Sequence, residues 1–147
     1  MKNSQRIVIA CCVAMIAALL VVGAVSHGVL RHIVQTSPLW IAIVLASRKS
    51  NLAKWAAVPS FVFWLFLMAL IWLFLLGWAR VITGTFSPVE IAMTVVVGTA
   101  SVVGTVTACL DRSASARVWA GIAMALLVAL LHVAALRVSL LPQIAHR

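Results

Sequence analysis

The chain has 147 residues, of which 65% are hydrophobic and only 9% are charged, and its mean hydropathy is +1.22. A soluble domain is about 45–50% apolar and about 25% charged, and a chain this short has too little interior to hide such an excess of apolar surface. The composition excludes a soluble enzyme, a nucleic-acid-binding protein and a disordered tail. It predicts an all-α, polytopic transmembrane helical bundle in which residues 1–147 form a single integral membrane domain, with no soluble domain.

Eleven Lys and Arg residues oppose two acids, which gives a formal net charge of +9. The basic residues are dispersed between apolar runs and are not gathered on one face, as phosphate binding along a nucleic acid would require. This placement is typical of lipid-headgroup contacts and of signals that orient membrane helices. The lipid bilayer is therefore the expected partner. The three cysteines, Cys11, Cys12 and Cys109, are interpreted as small packing residues.

Residues 7–26 form an uncharged run of 20 residues, long enough to cross a hydrocarbon core of ~30 Å. A face of small residues is expected to pack against a neighbouring helix; it comprises Ala10, Ala14, Ala17, Val21, Ala24 and Gly28. The alternative is a signal peptide cleaved after Ser26, which would leave His27 at a new N-terminus where it could ligate copper. An uncleaved span is favoured because the run is longer than the apolar core of a typical signal peptide.

Residues 29–47 are ambiguous, because only the nine residues 38–46 are continuously apolar and nine residues cannot cross a bilayer. The whole stretch could span if Arg31 and His32 lie at one interface; the alternative is a re-entrant or surface segment. The division of basic residues between the two sides of the membrane distinguishes a span from a re-entrant or surface segment. With four spans the basic residues divide about evenly, whereas with five spans one side carries Lys2, Arg6, Arg48, Lys49, Lys54, Arg112 and Arg117. We therefore predict five spans, with four as the alternative, and a cytoplasmic N-terminus.

Residues 59–79 are predicted to form the third span, with Pro59 in its first turn. Aromatic residues make this helix bulky on all sides, which indicates a lipid-facing wall. Residues 89–110 form the fourth span, and Ser87, Pro88 and Glu90 have the spacing of a capping box with proline at the first helical position.

Small and hydroxyl residues recur along the fourth span at spacings of three and four, a pattern that brings membrane helices close together. They are Thr94, Gly98, Ser101, Thr105 and Ala108. Residues 118–138 form the fifth span, in which Gly121, Ala125, Ala129 and His132 follow the same pattern. These faces predict helix packing within the bundle, and they suit association with a partner membrane protein or a second copy.

In the five-span arrangement, most of the unusual polar side chains fall in the outer half of the membrane, where ionisable groups are costly and often functional. The candidate ligand-binding residues are His27, Arg31, His32, Gln35, Arg80, Glu90, Thr94, His132 and Arg137. The simpler alternatives are that the arginines extend to lipid phosphates, that Glu90 only caps its helix, and that the histidines are interfacial or make one interhelical hydrogen bond.

No nucleophile or acid–base pair is evident, so no catalytic residue is predicted and a non-enzymatic role is favoured. We expect a multi-pass protein of a bacterial-type inner (plasma) membrane, a subunit or binding module whose His/Arg cluster contacts an anionic group or a partner membrane protein. One alternative is a redox protein that holds haem b or a metal between His132 and His27 or His32; no other metal site is predicted. A second alternative is a small transporter or proton-pathway component.

Overall fold

The computed structural model describes residues 3–79, 84–111 and 118–145. These residues are 84% helical and contain no strands, so the predicted all-α class is confirmed. The helices are α1 (Asn3–Val25), α2 (Val29–Thr36), α3 (Leu39–Ser47), α4 (Ala53–Leu75), α5 (Pro88–Leu110), α6 (Val118–Ser139) and the single turn α7 (Pro142–Ala145). By length and composition α1, α4, α5 and α6 could each cross a membrane, whereas α2 and α3 could do so only as one broken unit, bent by 47°.

The broken α2–α3 pair runs from one end of the bundle to the other. At one end, Ala46 of α3 lies with Ser4 of α1 and Ala108 of α5 around a small cavity of about 20 Å³. At the opposite end, Arg31 of α2 lies with Ser26, just after α1, around a much larger cavity. The pair therefore crosses the bundle beside α1 and does not return to the end where it began. We call these the amino-terminal end and the cavity end.

The break between α2 and α3 keeps its backbone carbonyls bonded. Pro38 has no N–H to donate to the Val34 carbonyl, and that carbonyl instead accepts from the Ser37 hydroxyl at 2.8 Å and the Ser37 N–H at 3.2 Å. The Thr36 hydroxyl donates to the Ile33 carbonyl at 3.1 Å. Non-helical backbone is tolerated at membrane depth only where such groups find partners, so the sequence around Pro38 suits a broken pass.

Helix α4 has one side buried in the bundle and one side exposed, where Val62 and Phe66 are 49% and 61% exposed, so the predicted lipid-facing wall describes only its outer side. It packs against α3, α5 and α6, and Phe61 and Trp64 are 0% and 3% exposed. The helix also begins at Ala53, earlier than predicted, which places Pro59 inside it. Phe61 and Trp64 lie inside because their rings bury more apolar surface than small residues can, and because the neighbouring helices leave room for them.

The predicted packing face of α1 is wrong at four of its six residues, while Ala14 is half-buried and Gly28 is buried. Ala10, Ala17, Val21 and Ala24 are exposed, and the helix instead buries Val8, Cys11, Cys12, Met15, Ile16, Ala18, Leu19 and Gly23. Because α1 is apolar on every side, the spacing of its small residues carries no signal about which side faces α5. The longer side chains gain more dispersion contacts in the interior, and they decide the orientation.

The faces predicted for α5 and α6 do point inward. On α5, Thr94 and Ser101 are buried while Gly98 and Thr105 are half-buried; on α6, Gly121 and His132 are buried while Ala125 and Ala129 are half-buried. The capping box at the start of α5 is confirmed. The Glu90 N–H donates to the Ser87 hydroxyl at 3.2 Å, and the Ser87 N–H donates to the Glu90 carboxylate at 2.6 Å. This cap fixes Glu90 at the cavity end.

Candidate functional site

A cavity of about 450 Å³ lies at the cavity end between α1, α2, α4 and α5. Five of the nine candidate residues line it, namely Arg31, His32, Gln35, Glu90 and Thr94. Three of the five come from α2, whose spacing puts positions 31, 32 and 35 on one side of a helix. These five residues form the polar wall of the cavity. The short helix α2 contributes three of them, and the first two turns of α5 contribute the other two.

Arg31 is the basic side chain of this wall. The residue is half-buried, and its Nε atom is fully buried and has no hydrogen-bond partner in the part of the chain that the structure describes. The Glu90 carboxylate is engaged at the cap of α5, where it accepts from the Ser87 N–H. A buried donor on a charged group is costly when unpaired, and a guanidinium is suited to two-pronged hydrogen bonding of a carboxylate or phosphate.

His32 and Gln35 are held in place by hydrogen bonds, His32 to the start of its own helix and Gln35 to α6. The Nδ1–H of His32 donates to the Gly28 carbonyl at 2.9 Å, which leaves Nε2 as the acceptor of the neutral ring. A methyl group added at Gly23 would lie 3.1 Å from His32 Nδ1, so glycine allows the close approach of α1 and α2 there. Gln35 Nε2 donates to the Ser139 hydroxyl at 2.9 Å, which ties α2 to α6.

Four candidate residues are not part of this polar wall. His27 is exposed at the rim, in a shallow depression that it shares with Ser26 and Glu90. Arg137 is exposed on α6 and does not line the cavity. Arg80 lies outside the described residues.

His132, the fourth, is 1% exposed and stacks on the ring of Phe63 with a centroid separation of 4.7 Å. Both of its ring nitrogens are buried, and neither has a partner in the described part of the chain.

The histidines lie in different surroundings. His32 lines the cavity, whereas His132 lies against Phe63 and is not among the residues that line that cavity. Within residues 3–79, 84–111 and 118–145, no three His, Cys, Asp or Glu side chains come together in a way that could hold a metal ion. Of the three cysteines, Cys11 and Cys12 are buried and Cys109 is exposed, and none is in a disulfide.

The apolar part of the cavity wall was not anticipated from the sequence. It comprises Leu19, Val22, Trp64, Leu67, Met68, Leu70, Ile71, Met93, Val97 and Leu136. Most of these residues lie on helices that are apolar on every side, so periodicity gives no sign of which residues line a cavity and which face lipid.

Comparison with known proteins gives no match: no protein-family model fits the chain, and neither a curated protein nor a solved structure is significantly similar to it. The geometry of the cavity therefore provides the basis for assigning a function.

Proposed function

We propose that the protein is a five-span integral membrane protein that binds an anionic group, a carboxylate or a phosphate, in the cavity at Arg31. The observation that carries this proposal is the half-buried Arg31, which lines a cavity of about 450 Å³ next to Gln35. A bound anion would accept charge-assisted hydrogen bonds from the guanidinium. Such charge-assisted hydrogen bonds are strong where water is scarce.

The distribution of charge supports an orientation for this site. At the amino-terminal end the described basic residues are Arg6, Arg48, Lys49 and Lys54, and at the cavity end they are Arg31 and Arg137. Because cytoplasmic loops carry the excess of Lys and Arg, we infer that the amino-terminal end is cytoplasmic. The cavity then opens in the outer half of a bacterial-type plasma membrane.

The polar wall favours binding over catalysis. The Thr94 hydroxyl donates to the Ile91 carbonyl at 2.7 Å, and the Glu90 carboxylate is engaged at the cap of α5. Neither group is therefore poised as a nucleophile or a general base toward a bound ligand. The guanidinium of Arg31 and the second N–H of the Gln35 amide remain as donors that recognise and orient an anion.

The test is a thermal-unfolding titration of the purified full-length protein with three probes, sodium acetate, sodium phosphate and sodium octanoate, at constant ionic strength. A ligand that binds only the folded state raises the melting temperature in proportion to the logarithm of its concentration. We expect at least one probe to stabilise the wild type and the control variant Arg137→Gln, which loses an exposed arginine at the same end. The same probe should have no effect on Arg31→Gln.

Two results would refute the proposal. One is that no probe stabilises the wild type beyond the effect of sodium chloride at equal ionic strength. The other is that Arg31→Gln and Arg137→Gln respond to every probe as the wild type does, because the anion would then bind elsewhere.

A further inference from the structure

The wall of the cavity changes from polar to apolar with depth. On α1 it runs from Ser26 at the end of the bundle to Leu19, and on α5 it runs from Glu90 to Val97. Each pair is seven residues apart, which at 1.5 Å per residue is about 10 Å along the helix. Gln35 and Thr94 keep the wall polar for about one turn below the rim, and the lining ends at the apolar Leu19 and Val97.

Helix α4 supplies much of this apolar wall, because Trp64, Met68 and Ile71 follow one another at spacings of four and three. Trp64 and Met68 are 3% and 5% exposed, so this part of the wall is fixed by packing. A cavity of about 450 Å³ lies within the range of roughly 300–1,000 Å³ found for pockets that enclose small organic ligands.

We propose that the anion bound at Arg31 is the headgroup of a single-chain amphiphile, and that its aliphatic tail lies in the apolar depth of the cavity. This inference rests on the function proposed above and specifies its ligand class. A small inorganic anion would satisfy Arg31 but leave the apolar wall without contacts, which loses dispersion energy. A carboxylate or phosphate on one short aliphatic chain would contact both Arg31 and the apolar wall.

The experiment is equilibrium binding of radiolabelled octanoate to the full-length protein in phosphatidylcholine nanodiscs, with empty nanodiscs subtracted. The competitors are acetate, inorganic phosphate, octyl phosphate and octanol. We expect octanoate and octyl phosphate to compete at least about a hundredfold more strongly than acetate and phosphate, since each buried methylene contributes roughly fourfold in affinity, about 0.8 kcal/mol. Octanol, which has the tail without the charge, should compete weakly.

A matched pair of variants tests where the tail lies. Val22 lines the cavity at intermediate depth, whereas the adjacent Val21 is 43% exposed on the outside of α1. Val22→Phe should reduce the affinity for octanoate toward that for acetate while the affinity for acetate is unchanged. Val21→Phe should leave both affinities unchanged.

The outcomes separate this inference from the proposed function. If acetate or phosphate binds as tightly as octanoate and all are lost in Arg31→Gln, the anion site stands and the amphiphile inference is overturned. If octanoate binds equally to the wild type and to Arg31→Gln, both are overturned. The comparison of chain lengths uses the wild type alone, so a failure of Val22→Phe to fold does not remove the test.

Discussion

At the scale of single residues, His132 is a buried polar side chain that does not line the cavity. Its ring lies in the core of the bundle on Phe63, and its two nitrogens have no partner among the described residues. Removing unsatisfied polar atoms while keeping the shape of a buried group is neutral or stabilising. We therefore predict that His132→Phe, which keeps the ring stack, raises the free energy of unfolding by about 1 kcal/mol, measured as a higher melting temperature.

A binding measurement on the same variant tests whether His132 contributes to the cavity site. Because His132 does not line the cavity, the affinity of His132→Phe for octanoate should equal that of the wild type. A lower melting temperature, or a loss of octanoate binding with the fold intact, would show that the ring nitrogens have a partner. The histidine would then belong to the site.

The residues of the site could be predicted from the sequence only in part. Arg31, His32, Gln35, Glu90 and Thr94 interrupt apolar runs, and charged or polar groups in such runs are costly enough to be noticed. Residue type alone could not separate them from His132 and Arg137, because that separation depends on which side of each helix faces the cavity. The apolar lining carried no signal at all, since Met68 and Val97 look like any other residue of their helices.

At the scale of helices, the contact between α4 and α5 depends on a glycine that the predicted small-residue face did not include. A methyl group added at Gly104 would overlap the buried ring of Phe61, whereas one added at Gly98 would meet nothing within 4 Å. Phe61 is completely buried, so its ring has little freedom to move away. Gly104, and not Gly98, therefore allows the close approach of these two helices.

This contrast gives a matched pair of substitutions on one helix. Gly104→Ala should lower the free energy of unfolding by about 1–3 kcal/mol through overpacking. Gly98→Ala should be neutral or stabilising by up to about 1 kcal/mol, because alanine has the higher helix propensity. Thermal unfolding of both variants under identical conditions checks the pair. Equal effects of the two substitutions would contradict the packing assigned to Phe61.

Helix boundaries could be predicted better than helix faces. The start of α5 follows from the hydrogen-bonding groups of Ser87 and Glu90, which specify a cap through their own chemistry. The faces of α1 and α4 could not be predicted, because a helix that is apolar on all sides has no amphipathic pattern to orient it. Packing then depends on the shapes of particular pairs such as Trp55 and Gly121, where the indole ring lies against the glycine.

At the scale of the whole molecule, the course of the broken α2–α3 pair determines the topology. Ser26 lies at the cavity end and Ala46 at the amino-terminal end, so the chain crosses the bundle between them. The same crossing brings Arg31, His32 and Gln35 beside the start of α5. A four-span chain would leave residues 29–47 on one side of the membrane, and the polar wall of the cavity would not form from these two helices.

Cysteine accessibility in intact cells distinguishes the two topologies. We propose single substitutions Ser26→Cys, Ser47→Cys and Gln143→Cys in a Cys109→Ser background, because Cys109 is exposed whereas Cys11 and Cys12 are buried. All three target positions are exposed.

With five spans and a cytoplasmic amino-terminal end, a membrane-impermeant maleimide should label Ser26→Cys and Gln143→Cys in intact cells. It should label Ser47→Cys only after permeabilisation. With four spans, positions 26 and 47 would be labelled alike and position 143 would behave oppositely. Labelling of position 47 alone in intact cells would instead preserve five spans and reverse the orientation, which would place the Arg31 cavity in the cytoplasmic half.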